Sequence, residues 1–310
     1  MELKDVLLLS GHVYGLTDFL ATKGIKVRYT WKKDHFSKRK FSALKLFNLE
    51  YLLFGFNKKM VQKYNRIIVG ESAKAASIIS FIKKWNPYAE IKYVLWNMVD
   101  DDLLEDVKLI KDMHVEVYSF NEIDCEKYKL KYNFNLYPFQ ELAKDFNYGV
   151  DYDCYFCGMD KGRLQNLVKL KNFFNKNNIS YKFRVKVQKN VIDKEIDTEN
   201  IILMSKDIPY LDVIKEFKKA SCIIELTQRG QSGFTWRVYE SLYFNKKLIT
   251  DNYMLKNCPF YHPDNILIIE NFDDLSELDI NRFLSVPYHE VDEKFKENYS
   301  YKQWINKFFK

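Results

Sequence analysis

Residues 225–252 read ELTQRGQSGFTWRVYESLYFNKKLITDN, and this stretch decides the fold. It begins as the end of a strand, passes through a polar loop, becomes an amphipathic helix and closes as a second strand. The loop holds Thr227, Gln228, Arg229, Gly230, Gln231, Ser232 and Gly233. In the helix Arg237 and Glu240 stand three apart and share a face. A helix start offers free N–H groups and the positive end of a dipole, which suits phosphate. A carboxylate further along can accept from paired sugar hydroxyls. Two readings stand with equal weight here: a nucleotide or nucleotide-sugar site, or an ordinary surface βαβ unit.

The same alternation extends to both sides. Upstream lie a strand at 153–157, a loop at 158–162, a helix at 163–175 and strands at 181–186 and 201–204. A helix at 209–219 and a strand at 222–226 lead into the opening stretch, and a last strand spans 266–269. The first half repeats the scheme. Its strands are expected at 6–10, 25–30, 66–70, 90–96 and 115–120, and its helices at 16–22, 72–84 and 103–113. The fold class is therefore α/β, with two Rossmann-like domains facing across a cleft. The expected boundaries are 1–149 and 150–292. Residues 293–310 form an amphipathic tail helix with Trp304, Ile305 and Phe308 on its apolar side.

Composition narrows the function classes. The 310 residues include five Cys, an odd and scattered set that makes no disulfide framework and fits a reducing interior. No apolar run reaches the length of a spanning helix. The expected location is cytoplasmic, either soluble or peripheral at the inner face of the cell membrane. The formal charge of +7 suits an anionic ligand or surface. Residues 31–56, WKKDHFSKRKFSALKLFNLEYLLFGF, interleave Lys and Arg with Phe, Leu and Tyr. They read either as an interfacial helix on anionic lipid or as a basic helix covering the sheet. No nucleic-acid-binding pattern is present, so no nucleic-acid partner is expected.

Residues 232–252, SGFTWRVYESLYFNKKLITDN, resemble the donor-binding segment of GT-B glycosyltransferases, whose motif reads E-G-F-G-x-x-x-x-E. Gly233 and Phe234 fall on its G-F, and Glu240 on its last Glu, which in the family holds the donor ribose. Ser232 stands where the first Glu would be, and Thr235 where the second Gly would be. FCGMDKGRLQNLVKL, residues 156–170, resembles the loop after the first strand of the GT-B C-terminal domain, which supplies cations to the diphosphate. Gly158, Lys161 and Arg163 are the candidates there. Residues 64–99 are similar to the matching half of bacterial capsule and lipopolysaccharide glycosyltransferases. The ending YSYKQWINKFF is similar to that group's closing helix, which implies a C-terminal helix returning to the N-terminal domain.

The resemblance implies a nucleotide-sugar donor and a glycan acceptor, lipid-linked in that group, with transfer serving surface polysaccharide assembly. Thr227, Gln231, Ser232, Gly233, Phe234, Thr235, Arg237 and Glu240 join Gly158, Lys161 and Arg163 as expected donor contacts. His12 and Glu71, each at the end of a strand, are the rival bases if the reaction inverts. No cofactor and no metal is expected, since side-chain cations would answer the diphosphate charge. Asp100, Asp101 and Asp102 offer oxygens to a hard cation, but acids also cap a helix start. Cys154 and Cys157 form a C-x-x-C without further ligands. Two alternatives share the fold: transfer of a polyol phosphate from a CDP-activated donor, and a non-catalytic nucleotide-binding partner.

Overall fold

The alternation resolves into two six-stranded sheets in which every strand pairing is parallel. The computed structural model describes residues 3–11, 15–32, 37–143, 149–187, 198–276 and 278–309. The chain divides into two compact units, Met1–Pro138 with Tyr299–Lys310, and Phe139–Asn298.

The first unit contains β1 (Val6–Ser10), β2 (Lys26–Tyr29), β3 (Arg66–Gly70), β4 (Glu90–Val94), β5 (Glu116–Ser119) and β6 (Lys131–Tyr132), ordered β2-β1-β3-β4-β5-β6. Its helices are α1 (Leu16–Thr22), α2 (Lys38–Lys45), α3 (Lys58–Val61), α4 (Ala75–Trp85), α5 (Asp101–Asp112) and α6 (Glu122–Tyr128). Strand alternation sends β1 side chains to opposite faces. Leu7 and Leu9 join the core under α4 and α5, while Val6 and Leu8 join a second core with Leu16 and Leu20 of α1. Burial on both faces explains why β1 reads as a continuous apolar run.

The second unit contains β7 (Tyr152–Met159), β8 (Tyr181–Lys186), β9 (Ile201–Met204), β10 (Ala220–Glu225), β11 (Lys247–Thr250) and β12 (Ile266–Ile268), ordered β12-β11-β10-β7-β8-β9. Its helices are α7 (Leu164–Lys176), α8 (Tyr210–Lys218), α9 (Trp236–Phe244), α10 (Ile280–Ser285) and α11 (Glu293–Glu297). Counted from its own first strand, this is the 3-2-1-4-5-6 order of a dinucleotide-binding sheet. The order reverses between β7 and β10, so the following loops leave in opposite directions and open a crevice at the strands' carboxyl ends.

Two expected boundaries shift. The division falls after Pro138, not at 149. Phe139 packs on Tyr210 and Trp236, with ring centroids 4.7 and 6.1 Å away, and Lys218 Nζ donates to the Leu142 carbonyl at 2.7 Å. The tail is also two helices where one was expected. Asp292 caps α11 and Ser300 caps α12 (Tyr301–Asn306), each side chain accepting from a first-turn N–H. The helix α11 stays with the second unit, where Tyr243 Oη donates to the Lys296 carbonyl at 3.1 Å. Only α12 returns to the first unit, burying Trp304, Ile305 and Phe308 against Val6, Leu8 and Ile68.

Candidate functional site

The crevice between β7 and β10 holds a pocket of about 200 Å³. Cys157 and Gly158 line it from the end of β7, Glu225 and Leu226 from the end of β10, and Arg163 from the start of α7. Tyr210 of α8 and Thr235, Trp236 and Arg237 at the start of α9 complete the wall. Pockets for whole drug-sized ligands hold about 300–1,000 Å³. This one is the size of a ligand's charged part.

Local chemistry sets each wall. Thr235 caps α9, its hydroxyl accepting from the Arg237 N–H at 3.1 Å. The same hydroxyl donates to Glu225 at 2.5 Å, and Thr250 donates to the other Glu225 oxygen at 2.7 Å. Burial pushes the Glu225 carboxyl up from the usual range. Asp160 accepts from the Leu164 N–H at 2.9 Å and so starts α7. Just before it, Lys161 and Gly162 take the left-handed backbone at φ 46° and 83°. A Cβ at Gly158 would press first on the Phe156 ring, at 3.2 Å, and reach the Arg163 guanidinium at 3.4 Å.

Arg163 donates to three backbone carbonyls: Leu226 at 2.8 Å, Asp160 at 3.1 Å, and Met159. Its basicity is lowered by burial and then by the Arg237 cation. Arg237 donates to the Cys157 carbonyl at 2.5 Å and to both oxygens of Glu240. Burial lowers the guanidinium, but facing Glu240 more than restores it, so Arg237 stays charged. Glu240 is fully buried, and Tyr210 Oη also donates to it. Burial pushes its carboxyl up against the pull of Arg237. Two guanidinium groups thus face one small pocket, held there by carbonyls and by one carboxylate beneath. Like charges brought together and desolvated are costly, and an anion between them relieves the cost.

The expected donor residues separate into groups. Gly158, Arg163, Thr235 and Arg237 meet at the pocket, and Glu240 lies beneath it. Lys161 is exposed at the tip of its loop. Thr227, Gln231, Ser232 and Gly233 build the loop after β10. The Thr227 N–H donates to Asp251 at 2.7 Å, Gln231 closes a turn on Gln228, and the Ser232 carbonyl accepts from Asn252 at 3.4 Å. Phe234 packs edge-on against Phe260. Phe156, Cys157, Tyr210, Glu225, Leu226 and Trp236 also line the pocket and were not among the expected donor contacts.

In the first unit, Glu71 accepts from the N–H groups of Trp96 and Asn97 at 2.8 and 2.9 Å and from the Asn97 amide at 2.7 Å. Its carboxylate builds that turn. His12 lies outside the described residues. Asp100 caps α5, accepting from the Leu103 N–H at 2.9 Å. Cys154 is buried beside Cys222 on the neighbouring strand, and Cys157 is buried at the pocket floor. His262 stacks flat on His289, with ring centroids 4.0 Å apart. Among the described residues no helix is long and apolar enough to cross a membrane.

No protein-family model matches the chain, and no curated protein matches it by sequence. Solved structures do. The β-glucosyltransferase of phage T4 in complex with its UDP-glucose substrate is similar over 98% of both chains, at 14% identity and a TM-score of 0.54. A glycosyltransferase from Rickettsia africae is similar over 98% of this chain and 93% of its own, at 12% identity and a TM-score of 0.53. At such identities the likeness is one of fold. The chain has the two-domain GT-B fold.

Proposed function

We propose that the chain is a glycosyltransferase that binds a nucleotide-sugar in its second unit and transfers the sugar to a glycan acceptor held by its first. The observation that carries this reading is the pair of guanidinium groups, Arg163 and Arg237, at the switch point of a dinucleotide-type sheet. A donor diphosphate is the anion that such a pocket suits. As the glycosidic bond breaks, charge grows on the leaving phosphate, and cations already in place stabilise it without reorganising. Lys161 adds a third cation from the loop, and the N–H groups at the start of α9 add a dipole. In this reading these groups take the part that a metal would otherwise play.

Glu240 has two tasks. It anchors Arg237, and it accepts from the donor ribose once the diphosphate draws that guanidinium off one of its oxygens. Tyr210, Trp236 and Phe139 form an aromatic wall beside the pocket, suited to the nucleoside. The acceptor is a lipid-linked glycan of bacterial surface polysaccharide assembly, met at the inner face of the cell membrane. If the reaction inverts, His12 or Glu71 takes the acceptor proton; if it retains, the leaving phosphate does so.

The test is a thermal-shift and calorimetric screen of nucleotides and nucleotide-sugars, followed by product analysis with and without EDTA. A ligand that binds the native state raises its apparent stability. At least one nucleoside diphosphate or its sugar should do so, and Arg163→Ala should reduce the shift at a given ligand concentration. A screen in which no nucleotide binds sinks the proposal. Transfer of a polyol phosphate from a CDP-activated donor would be the answer if that product appears instead. Binding without turnover would identify a non-catalytic partner, the reading that Ser232 in place of a sugar-contacting Glu favours.

A further inference from the structure

The net charge of the chain is concentrated in one segment. Residues 31–63 carry nine Lys and Arg against two acids, which leaves 40 basic and 40 acidic residues in all the rest. The whole +7 therefore belongs to a tenth of the chain. In the structure this segment supplies α2, a 3-10 turn at Glu50–Leu53 and α3. Its inward side chains, Trp31, Phe41, Phe54, Phe56 and Val61, join the core of the first unit.

Its outward side chains are also apolar. Leu46 and Phe47 are 82% and 73% exposed, and Leu49, Tyr51 and Leu52 beside them are exposed as well. Behind this patch runs a groove of about 1420 Å³, walled by α4 and α5 on one side and by residues 45–60 on the other. Phe54, Phe56, Phe81 and Trp85 give it apolar walls. Lys58 and Lys84 stand over the Trp85 ring, 4.9 and 5.8 Å from its centre. Glu105, Asp106 and Asp112 line the α5 wall beside Lys74 and Lys84 at α4, while Lys32, Lys45 and Lys58, with Glu50 the one lining acid there, stand on the side continuous with the apolar patch.

We infer that this face is an interfacial surface for an anionic bilayer, and that its groove takes the head group and first acyl carbons of one anionic lipid. Leu46 and Phe47 enter the acyl boundary. Lys38, Arg39, Lys40 and Lys45 meet head-group phosphates around them. The long lysine stems lie along apolar surface while their ammonium ends stay at the polar level. Single-stranded nucleic acid would also meet the charge, but it is bound by aromatic faces on which bases stack, and three of the five exposed apolar side chains are Leu. The inference gives the lipid-linked acceptor proposed above a membrane contact. It uses residues of the first unit alone and stands whether or not a sugar is transferred.

Cosedimentation with vesicles tests it. Vesicles containing phosphatidylglycerol should bind the protein about tenfold or more better than pure phosphatidylcholine, and added salt should weaken that binding. Leu46→Ser with Phe47→Asp, both at exposed positions, should cut the partition about tenfold while leaving Tm unchanged. Lys45→Glu with Lys84→Glu should cut binding of monomeric dihexanoylphosphatidylglycerol about tenfold. Equal binding to neutral and anionic vesicles, no binding, or double variants that bind as wild type would overturn the inference. So would binding of DNA or RNA in place of vesicles. Nucleotide-induced thermal shifts should be the same in these variants as in wild type, which separates failure here from failure of the donor pocket.

Discussion

The two sheets each reverse their strand order once, and the two crevices are built oppositely. Between β7 and β10 the crevice is lined by fixed charge: Arg163, Arg237 and Glu225, with Glu240 beneath. At the ends of β1 and β3 the described residues Ser10, Gly11 and Gly70 are small and neutral. Ser10 is fully buried, and its hydroxyl has no hydrogen-bond partner among the described residues. Gly70 faces it, and a Cβ there would sit 2.6 Å from Ser10 Oγ and 2.9 Å from Trp96 Nε1. Glu71, the carboxylate that follows Gly70, accepts hydrogen bonds from the turn at Trp96 and Asn97. One sheet topology thus serves two chemistries. The second unit places two guanidinium groups at its switch point, and the first places Ser10 close against Gly70.

That contrast can be broken or sharpened by mutation. Glu240→Ala leaves the Arg237 guanidinium without its carboxylate, so the second unit should lose about 3–5 kcal/mol of stability, read by urea unfolding. A loss below about 1 kcal/mol would mean that the charge there is not structurally committed. Arg163→Ala should weaken nucleotide binding by about 1.5–3 kcal/mol, the worth of charge-assisted hydrogen bonds, in calorimetric titration. Nucleotide affinity equal to wild type would remove the charge from the binding argument.

Gly70→Ala tests the other crevice. Overpacking should cost about 1–3 kcal/mol in urea unfolding with nucleotide affinity unchanged. A fall in nucleotide affinity would erase the division of labour. The smallest effect concerns Glu116 of β5. Burial would raise its carboxyl, yet Lys131 and Lys92 hold it at about 2, below its ordinary 4.5. A depressed carboxyl stabilises the fold above its unfolded value, and that contribution is lost as pH falls through the folded one. Glu116→Gln should therefore flatten the acid loss between about pH 4.5 and 2, by at most about 1 kcal/mol because the pair is partly exposed. An unchanged acid profile would place the pair among surface contacts of no consequence.

Much of this was legible in the residues. Continuous apolar runs such as VLLLS and RIIVG marked doubly covered strands, and period and length separated them from helices. The spacing of Arg237 and Glu240 placed them on one helix face, and they do pair. Tyr210 was not legible. It reaches Glu240 from the start of another helix, thirty residues earlier, and no local pattern reports such a meeting. Glu225 was read as the end of a strand, which it is. Its exposure to the pocket follows from the order of neighbouring strands, which a single strand does not carry. The tail misled for a related reason. Its apolar positions keep helical spacing across Asn298–Ser300, but each half ends on its own cap and joins a different unit.

The return of α12 has a consequence for how the protein comes off the ribosome. The core that holds Val6, Leu8, Leu16 and Leu20 is closed by Trp304, Ile305 and Phe308, made nearly three hundred residues later. Domains generally fold in the order of synthesis, N-terminal first. The first unit's core is therefore complete only once its last residues are made, after the whole second unit has been translated. A stop codon before Tyr301 would strip Trp304, Ile305 and Phe308 from that core and take no residue from the second unit.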